Sequence, residues 1–249
     1  MTQDWDFYFL NVNDRPASIF LDLGIYDAPP RDALPHMAYV RVRLNAPRED
    51  GLSSEQEYDA LVAIEDALEA QVTDVHSGYV GRCTGNGCRD FFFYVAHPQE
   101  WTARVATCMA SFKQYRYEVE TREDRDWSTY FSFLYPETAD LQIINNRRVC
   151  RALEQQGDAL TQPREIDHWT YFANADHLRA FIAEAQAMGF SLRAQHADEE
   201  DDDEDQHCAQ LWRADIPAEG GIDEVTLLLS DLALKHGGEY DGWESQVVN

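Results

Sequence analysis

Positive charge is what this chain has least of. Its 249 residues carry 20 Lys and Arg against 46 Asp and Glu, a net charge of −26 and a pI of about 4.4. So acidic a surface repels phosphate, which argues against direct nucleic-acid binding and favours a basic partner. Long apolar runs are missing too. The longest strongly apolar stretch near a strand, 91–96, is far too short to span a bilayer, so no membrane role is expected. The start, M-T-Q-D-W-D, has neither the basic opening nor the apolar core of a signal peptide. Cysteines are few and odd in number. Cys83, Cys88, Cys108, Cys150 and Cys208 follow no regular spacing, which excludes a secreted disulfide framework. These absences point to a cytoplasmic protein with reduced thiols.

Catalytic and metal motifs are absent as well. There is no G-x-S-x-G, and no cysteine has a patterned histidine partner. His168, His196 and His207 fall on strands that could be neighbours. Yet no C-x-x-C or H-x-x-x-H pair accompanies them, and His207 and Cys208 point to opposite faces of a strand. Cys83 and Cys88 flank a turn, where free thiols are expected over a bridge. Gly81, Gly85 and Gly87 open a hairpin, whereas a phosphate-binding loop needs a helix N-terminus. Acids are so numerous that any two could be named a catalytic pair, which empties that signal. No metal and no cofactor are expected, and a non-catalytic protein is preferred to an enzyme of unknown chemistry.

What is present is a core and a clear order of elements. An apolar fraction of 44% suffices for a sizeable interior. Residues 5–12 and 17–23 read as strands around the turn Asn13-Asp14-Arg15-Pro16. A strand at 37–44 sets Met37, Tyr39, Arg41 and Arg43 opposite Ala38, Val40, Val42 and Leu44. Ser54-x-x-Glu57 predicts a capping box, ahead of a helix striped by Leu61, Ile64, Leu68 and Val72. Strands at 75–83 and 88–95 flank the hairpin turn Gly85-Asn86-Gly87. Pro98 opens a helix with Trp101, Val105, Met109 and Phe112 on its inner face. A strand at 115–121 follows, and a further strand is predicted over 127–134.

Past Pro136 the order repeats. A helix at 137–156, with Leu141, Ile144 and Leu153 inward, stops at Gly157. Residues 166–172 alternate, with Ile166, His168, Thr170 and Phe172 on one side and Asp167, Trp169 and Tyr171 on the other. Leu178, Phe181, Ile182, Ala185 and Met188 then form a helical stripe that ends at Gly189. Strands at 190–196 and 207–214, a helix striped by Ile222, Val225, Leu229 and Leu232, and a strand at 239–244 complete the chain. Both halves therefore read as strand, helix, strand, strand, helix, strand. The expected fold class is α+β: two ferredoxin-like (βαββαβ) units, antiparallel sheets with helices on one face, over 1–136 and 137–249.

Two sets of residues carry a resemblance. His168-Trp169-x-Tyr171-Phe172, Met188-Gly189-Phe190 and Tyr240-Asp241-Gly242-Trp243-Glu244, with Leu153-x-x-x-Gly157-Asp158 and Pro163-Arg164 upstream, resemble the family of regulators of ribonuclease E activity B. Pro16-Ala17-Ser18-Ile19, Asp50-Gly51-Leu52, Ile64-Glu65-Asp66, Gly81-Arg82 and Thr84 resemble domain of unknown function 695. The resemblance implies a ferredoxin-like regulator that binds ribonuclease E and lowers RNA cleavage without catalysis of its own. One departure stands out. The family has acids in its C-terminal tail, whereas here only Glu-Ser-Gln-Val-Val-Asn follows Trp243 and the acids form an internal run.

That run is Asp198, Glu199, Glu200, Asp201, Asp202, Asp203, Glu204 and Asp205. Acids outnumber bases 24 to 8 after Pro136 and 22 to 12 before it. Charge this dense stays solvated and can speed encounter with a basic segment; it lacks the spaced Gly and closing Glu of an EF-hand loop. Trp169, Tyr171 and Trp243 are expected on the sheet face opposite the helices, packing the units together or anchoring a protein interface. The expected partner is a protein, ribonuclease E or another basic protein; an immunity-type protein that neutralises a basic toxin is the alternative.

Overall fold

The computed structural model describes residues 2, 4–198 and 206–248, the side chains of 196–198 and 206 excepted. Of the acidic run only the backbone of Asp198 is included; residues 199–205, like the side chain of His196, lie outside the described residues. The chain divides into two compact units, Met1–Pro136 and Glu137–Asn249.

In the first unit the strands are β1 (Trp5–Val12), β2 (Arg15–Asp22), β3 (His36–Arg43), β4 (Ser77–Gly85), β5 (Cys88–Val95) and β6 (Tyr117–Glu123). Helix α1 (Tyr58–Val72) joins β3 to β4, and α2 (Pro98–Met109) joins β5 to β6. The sheet order is β1-β2-β4-β5-β3-β6, with every pair antiparallel. From β3 onward this is the ferredoxin-like unit, and the β1–β2 hairpin extends the sheet past β4. Both hairpins turn on two residues of positive φ, Asn13 and Asp14 (50° and 61°) and Asn86 and Gly87 (50° and 73°), whose twist matches that of the strands.

Alternation along the strands makes the core. Ala38, Val40 and Val42 with Phe91, Phe93 and Val95 face Leu61, Ile64, Leu68 and Val72 of α1 and Trp101, Val105 and Met109 of α2. Cys108 joins them, while Phe112 falls beyond α2 and is half-buried against the same core. The capping box does not form. Ser54 makes no side-chain cap, and its Oγ is buried without a partner. Glu57 instead accepts the backbone N–H groups of Asn45 and Ala46 at 2.8 and 3.0 Å. Two orphan amides of the β3–α1 connection claim the buried carboxylate ahead of Ser54.

The strand predicted over 127–134 is also corrected. Trp127, Tyr130 and Leu134 are spaced i, i+3, i+7, a helical period, and Tyr130–Leu134 winds as a π-helix. All three side chains are fully buried. Asp124 starts the turn, accepting the N–H groups of Ser128 and Thr129 at 2.8 and 3.0 Å. Trp127 stacks on Tyr94 with ring centres 3.8 Å apart, so this segment lids part of the sheet face that α1 and α2 leave open.

In the second unit α3 (Thr138–Gln155) precedes β7 (Arg164–Phe172), α4 (Ala175–Ala187), β8 (Ser191–Asp198), β9 (Gln206–Asp215), α5 (Gly221–Lys235) and β10 (Gly238–Ser245). The order β10-β7-β9-β8, antiparallel throughout, is ferredoxin-like. Ile166, Phe172, Ala209, Leu211 and Trp243 of the sheet bury against Leu178, Phe181, Ile182, Ile222, Leu229 and Leu232. Between α3 and β7 the buried side chains of Asp158 and Arg164 pair at 2.8 Å, and Asp158 also accepts the N–H groups of Leu160 and Val248.

Asp124 generates a stability prediction. Burial alone would raise its pKa, but donors from Thr129, Tyr94 and Ser128 hold the carboxyl down at about 2. A depressed acid pKa stabilises above the unfolded value near ~4 and loses that contribution as pH falls toward the folded one. Asp124→Ala should lower stability at pH 7 by about 2–3 kcal/mol, since charge-assisted bonds and a cap go together. Urea unfolding followed by near-UV circular dichroism checks this; an unchanged midpoint would remove Asp124 as the anchor of the lid.

Candidate functional site

Some of the motif residues of the second unit, Trp169, Tyr171 and Asp241 to Glu244, meet in one groove. On β7, period-two alternation sends Ile166, His168, Thr170 and Phe172 into the core and leaves Trp169 and Tyr171 half-buried on the other face. Antiparallel β10 lies beside it, with Gly242 opposite Trp169 and Trp243 opposite His168. The register shifts by a bulge between Tyr240 and Gly242. α3 runs along this edge. Gln142, Asn145, Arg148 and Val149 of α3, Trp169 and Tyr171 of β7, and residues 241–244 of β10 enclose a groove of about 500 Å³.

Trp243 departs from expectation. It is 7% exposed, belongs to the core, and does not share the open face with Trp169 and Tyr171. Tyr240 and Trp243 are three apart, so strict alternation sets them on opposite faces. The bulge adds one residue to β10 and turns both inward. What remains of Trp243 at the surface is the part that lines the groove.

Beneath the groove lies a polar cluster. Asn146, 1% exposed, accepts the indole N–H of Trp243 and the side-chain amide N–H of Gln142 on Oδ1, both at 2.8 Å. Its amide nitrogen donates to Asp223 Oδ1 and Thr226 Oγ1, both at 2.7 Å. The helix reading marks Leu141 as inward, but Gln142 and Asn146 take the buried positions and Leu141 is half-exposed. An apolar stripe search cannot find a polar pair at i, i+4. Trp243, whose N–H needs a buried acceptor, was the available clue.

Two carboxylates and one guanidinium, that of Arg148, line the groove. Asp241 and Glu244 line the groove beside Trp169 and Tyr171. Along the same sheet face Arg193 pairs with Glu165 and Asp167 and lies over the Trp212 ring, 5.3 Å from its centre. In the first unit a concavity of about 710 Å³ is walled by Trp5, Leu34, Val75 and Tyr79 with Glu69 and Asp74, and Ser77 in the same wall donates its hydroxyl to Asp74 Oδ1 at 3.1 Å.

The remaining candidates are dispersed. His168 is fully buried, with Nδ1 2.8 Å from the Tyr240 hydroxyl and Nε2 without a partner. Cys208 is buried on β9, where it pairs with Tyr171 of β7. Among the described residues no group of three or more His, Cys, Asp and Glu is placed to hold a metal ion. The five cysteines are free. Across the hairpin Cys83 faces Asp90, while Cys88 faces Gly85. Burial pushes the Cys83 thiol up to about 12 and the Cys150 thiol to about 11, so both stay protonated. Among the described residues no helix is long and apolar enough to cross a membrane.

Comparison with known proteins assigns both units. The model of a family of unknown function, DUF695, matches residues 3–135. The model described as Regulator of ribonuclease activity B matches residues 143–245, a span that holds every residue of the groove except Gln142. No curated protein matches the chain. A crystal structure assigned as a glycine cleavage system transcriptional repressor aligns over 85% of this chain and 98% of its own, at 9% identity and a TM-score of 0.23. A superposition that loose adds nothing to the topology above.

His168 gives the second unit a pH dependence of known sign. Burial lowers its pKa to about 4, against an ordinary value near 6.5. The unfolded chain therefore binds the proton first, and stability falls as pH drops from about 6.5 toward 4. The loss should reach about 3 kcal/mol at the lower end, by the ~1.4 kcal/mol that each pKa unit represents. Urea midpoints at pH 7 and pH 4.5 should differ accordingly, and His168→Gln should flatten the difference. An equal slope in that variant would place the titration elsewhere.

Proposed function

As the chain belongs to the DUF695 family and carries a Regulator of ribonuclease activity B domain behind it, we propose that it is a non-catalytic regulator that binds ribonuclease E or a related RNA-processing enzyme and lowers its RNA cleavage. The observation that carries this reading is the groove between α3 and the β7–β10 edge. Residues far apart in sequence meet there, and Trp169, Tyr171 and Asp241 to Glu244 among them belong to the motifs by which the domain resembles a regulator family. Nothing in the groove supplies a nucleophile. It offers two half-buried aromatic rings and two carboxylates against the one guanidinium of Arg148, which suits arginine or lysine side chains through ion pairing and cation–π contact.

The mechanism is occlusion. A basic segment of the nuclease that would hold RNA lies on the acidic, aromatic face of the second domain, with Trp169 and Tyr171 as anchors and Trp243 as the floor. The run Asp198 to Asp205 raises the rate of encounter, since clustered charge steers association more than it tightens the complex. The protein acts in the cytoplasm, where the nuclease and its RNA meet.

The test is a cleavage assay with purified ribonuclease E and a structured RNA, with the full chain in excess. Cleavage should fall, and the nuclease should be retained on the immobilised chain at low salt and released as salt rises. Trp169→Ala should raise the half-inhibitory concentration at least ~10-fold, the scale of an interface anchor. Unchanged cleavage together with no retention of the nuclease would sink the proposal.

A further inference from the structure

The first unit holds a concavity whose charge runs against that of the chain. Alternation along β3 turns Arg41 and Arg43 away from the core that Val40 and Val42 enter. Their neighbours across β5 are Asp90 and Cys88, and the β1–β2 turn brings Arg15 to the same end of the sheet. The lid segment stops short of this end, where Phe133 packs on Phe92. The result is a concavity of about 650 Å³ bounded by three arginines, Phe133, Asp90 and the Asn86 turn.

Each arginine is aimed but not used up. Arg41 is forked on Asp90, Nε to Oδ1 at 2.8 Å and Nη2 to Oδ2 at 2.6 Å. Arg43 directs Nε and Nη2 onto one oxygen of Glu118 at 3.2 and 2.6 Å. Arg15 Nη1 donates to Asn86 Oδ1. A guanidinium has five N–H donors, so these bonds leave donors over on each. Only one carboxylate, Asp90, lines the concavity with them. The surrounding chain has more than two acids for every base, so positive groups brought together here are not a by-product of composition.

We propose that this concavity binds the phosphate group of a small phosphorylated molecule, whose organic part lies against Phe133. Three guanidiniums in one wall, each with N–H donors left over, can serve the three oxygens of a phosphomonoester, where a carboxylate offers only two. The volume falls in the range of small-molecule sites, roughly 300–1,000 Å³, and is far below what a folded RNA needs. Arg41 is held as the fixed member by its fork, and Arg15 and Arg43, both exposed, can close on the ligand. The inference rests on the first unit alone and is independent of the groove in the second.

The experiment is calorimetric titration of the full chain with AMP, adenosine and inorganic phosphate. AMP should bind at least ~10-fold tighter than adenosine, and inorganic phosphate should compete with it. Arg15→Gln and Arg43→Gln, at exposed positions whose loss leaves the core intact, should each weaken AMP at least ~10-fold, with unchanged circular dichroism confirming the fold. Equal binding of AMP and adenosine, or AMP binding that ignores both substitutions, overturns the proposal. So does a short RNA oligonucleotide that binds more tightly than AMP and depends on the same arginines, because it would make the concavity a nucleic-acid contact.

Discussion

The amide of Asn146 has two acceptor and two donor positions, and the fold supplies a partner for all four: Trp243, Gln142, Asp223 and Thr226. A buried amide left short of one bond costs roughly 1–3 kcal/mol, so α3, α5 and β10 must arrive together or not at all. That requirement makes the groove rigid. Trp243 is fixed by its indole N–H, and β10 carries its extra residue at the one place where both Tyr240 and Trp243 can face inward. Gly242 sits at the bulge with φ of 145°, a conformation that residues with a side chain seldom adopt. The sequence Tyr-Asp-Gly-Trp-Glu is thus a strand that changes phase once, with its acids left at the rim.

The same logic of faces explains what could be read from the chain alone. Where burial follows one period, reading succeeds: Leu61, Ile64, Leu68 and Val72, or Ile222, Val225, Leu229 and Leu232, are apolar at helical spacing and all are buried. The hairpin dipeptides Asn13-Asp14 and Asn86-Gly87 announce themselves because few residues accept positive φ. The order of both sheets follows from the βαββαβ order of elements, and the family resemblance agrees with the family models over both units.

Reading fails where a polar group decides the outcome. Trp127 and Tyr130 look like strand residues by composition, yet Asp124 caps a helical turn through them. Glu57 looks like the second half of a capping box, yet it serves two amides of another connection. Trp243 looks outward until the bulge is counted. Glu57 and Trp243 bond residues that only the tertiary fold brings near, so a local pattern carries no record of them; the Asp124 cap is local, and the i, i+3, i+7 spacing of Trp127, Tyr130 and Leu134 was its available sign. The arginines of β3 are the instructive middle case. Their face was legible from alternation, but that they line one concavity with Arg15 needed the sheet order, which sets the β1–β2 hairpin beside β4.

Net charge and local charge then do different things. Many of the bases are held by acids at short range, as in Arg41–Asp90, Arg82–Glu65, Arg104–Asp74, Arg164–Asp158, Arg213–Asp215 and Lys235–Glu184. The acids left over set the long-range field that a partner meets first. At physiological salt that field decays over about 8 Å, so the −26 of the whole chain governs approach, not hold. On the proposed function, a basic side chain in the groove meets Asp241, Glu244 and the rings of Trp169 and Tyr171, with Arg148 on the same wall. Salt should therefore act mainly on association, and the aromatic and rim residues mainly on dissociation, because steering charge and contact geometry belong to different steps. On the proposed function, an acidic run and an aromatic groove in one domain are complementary parts of a single device: one gathers a basic chain from solution, and the other holds the side chain that arrives.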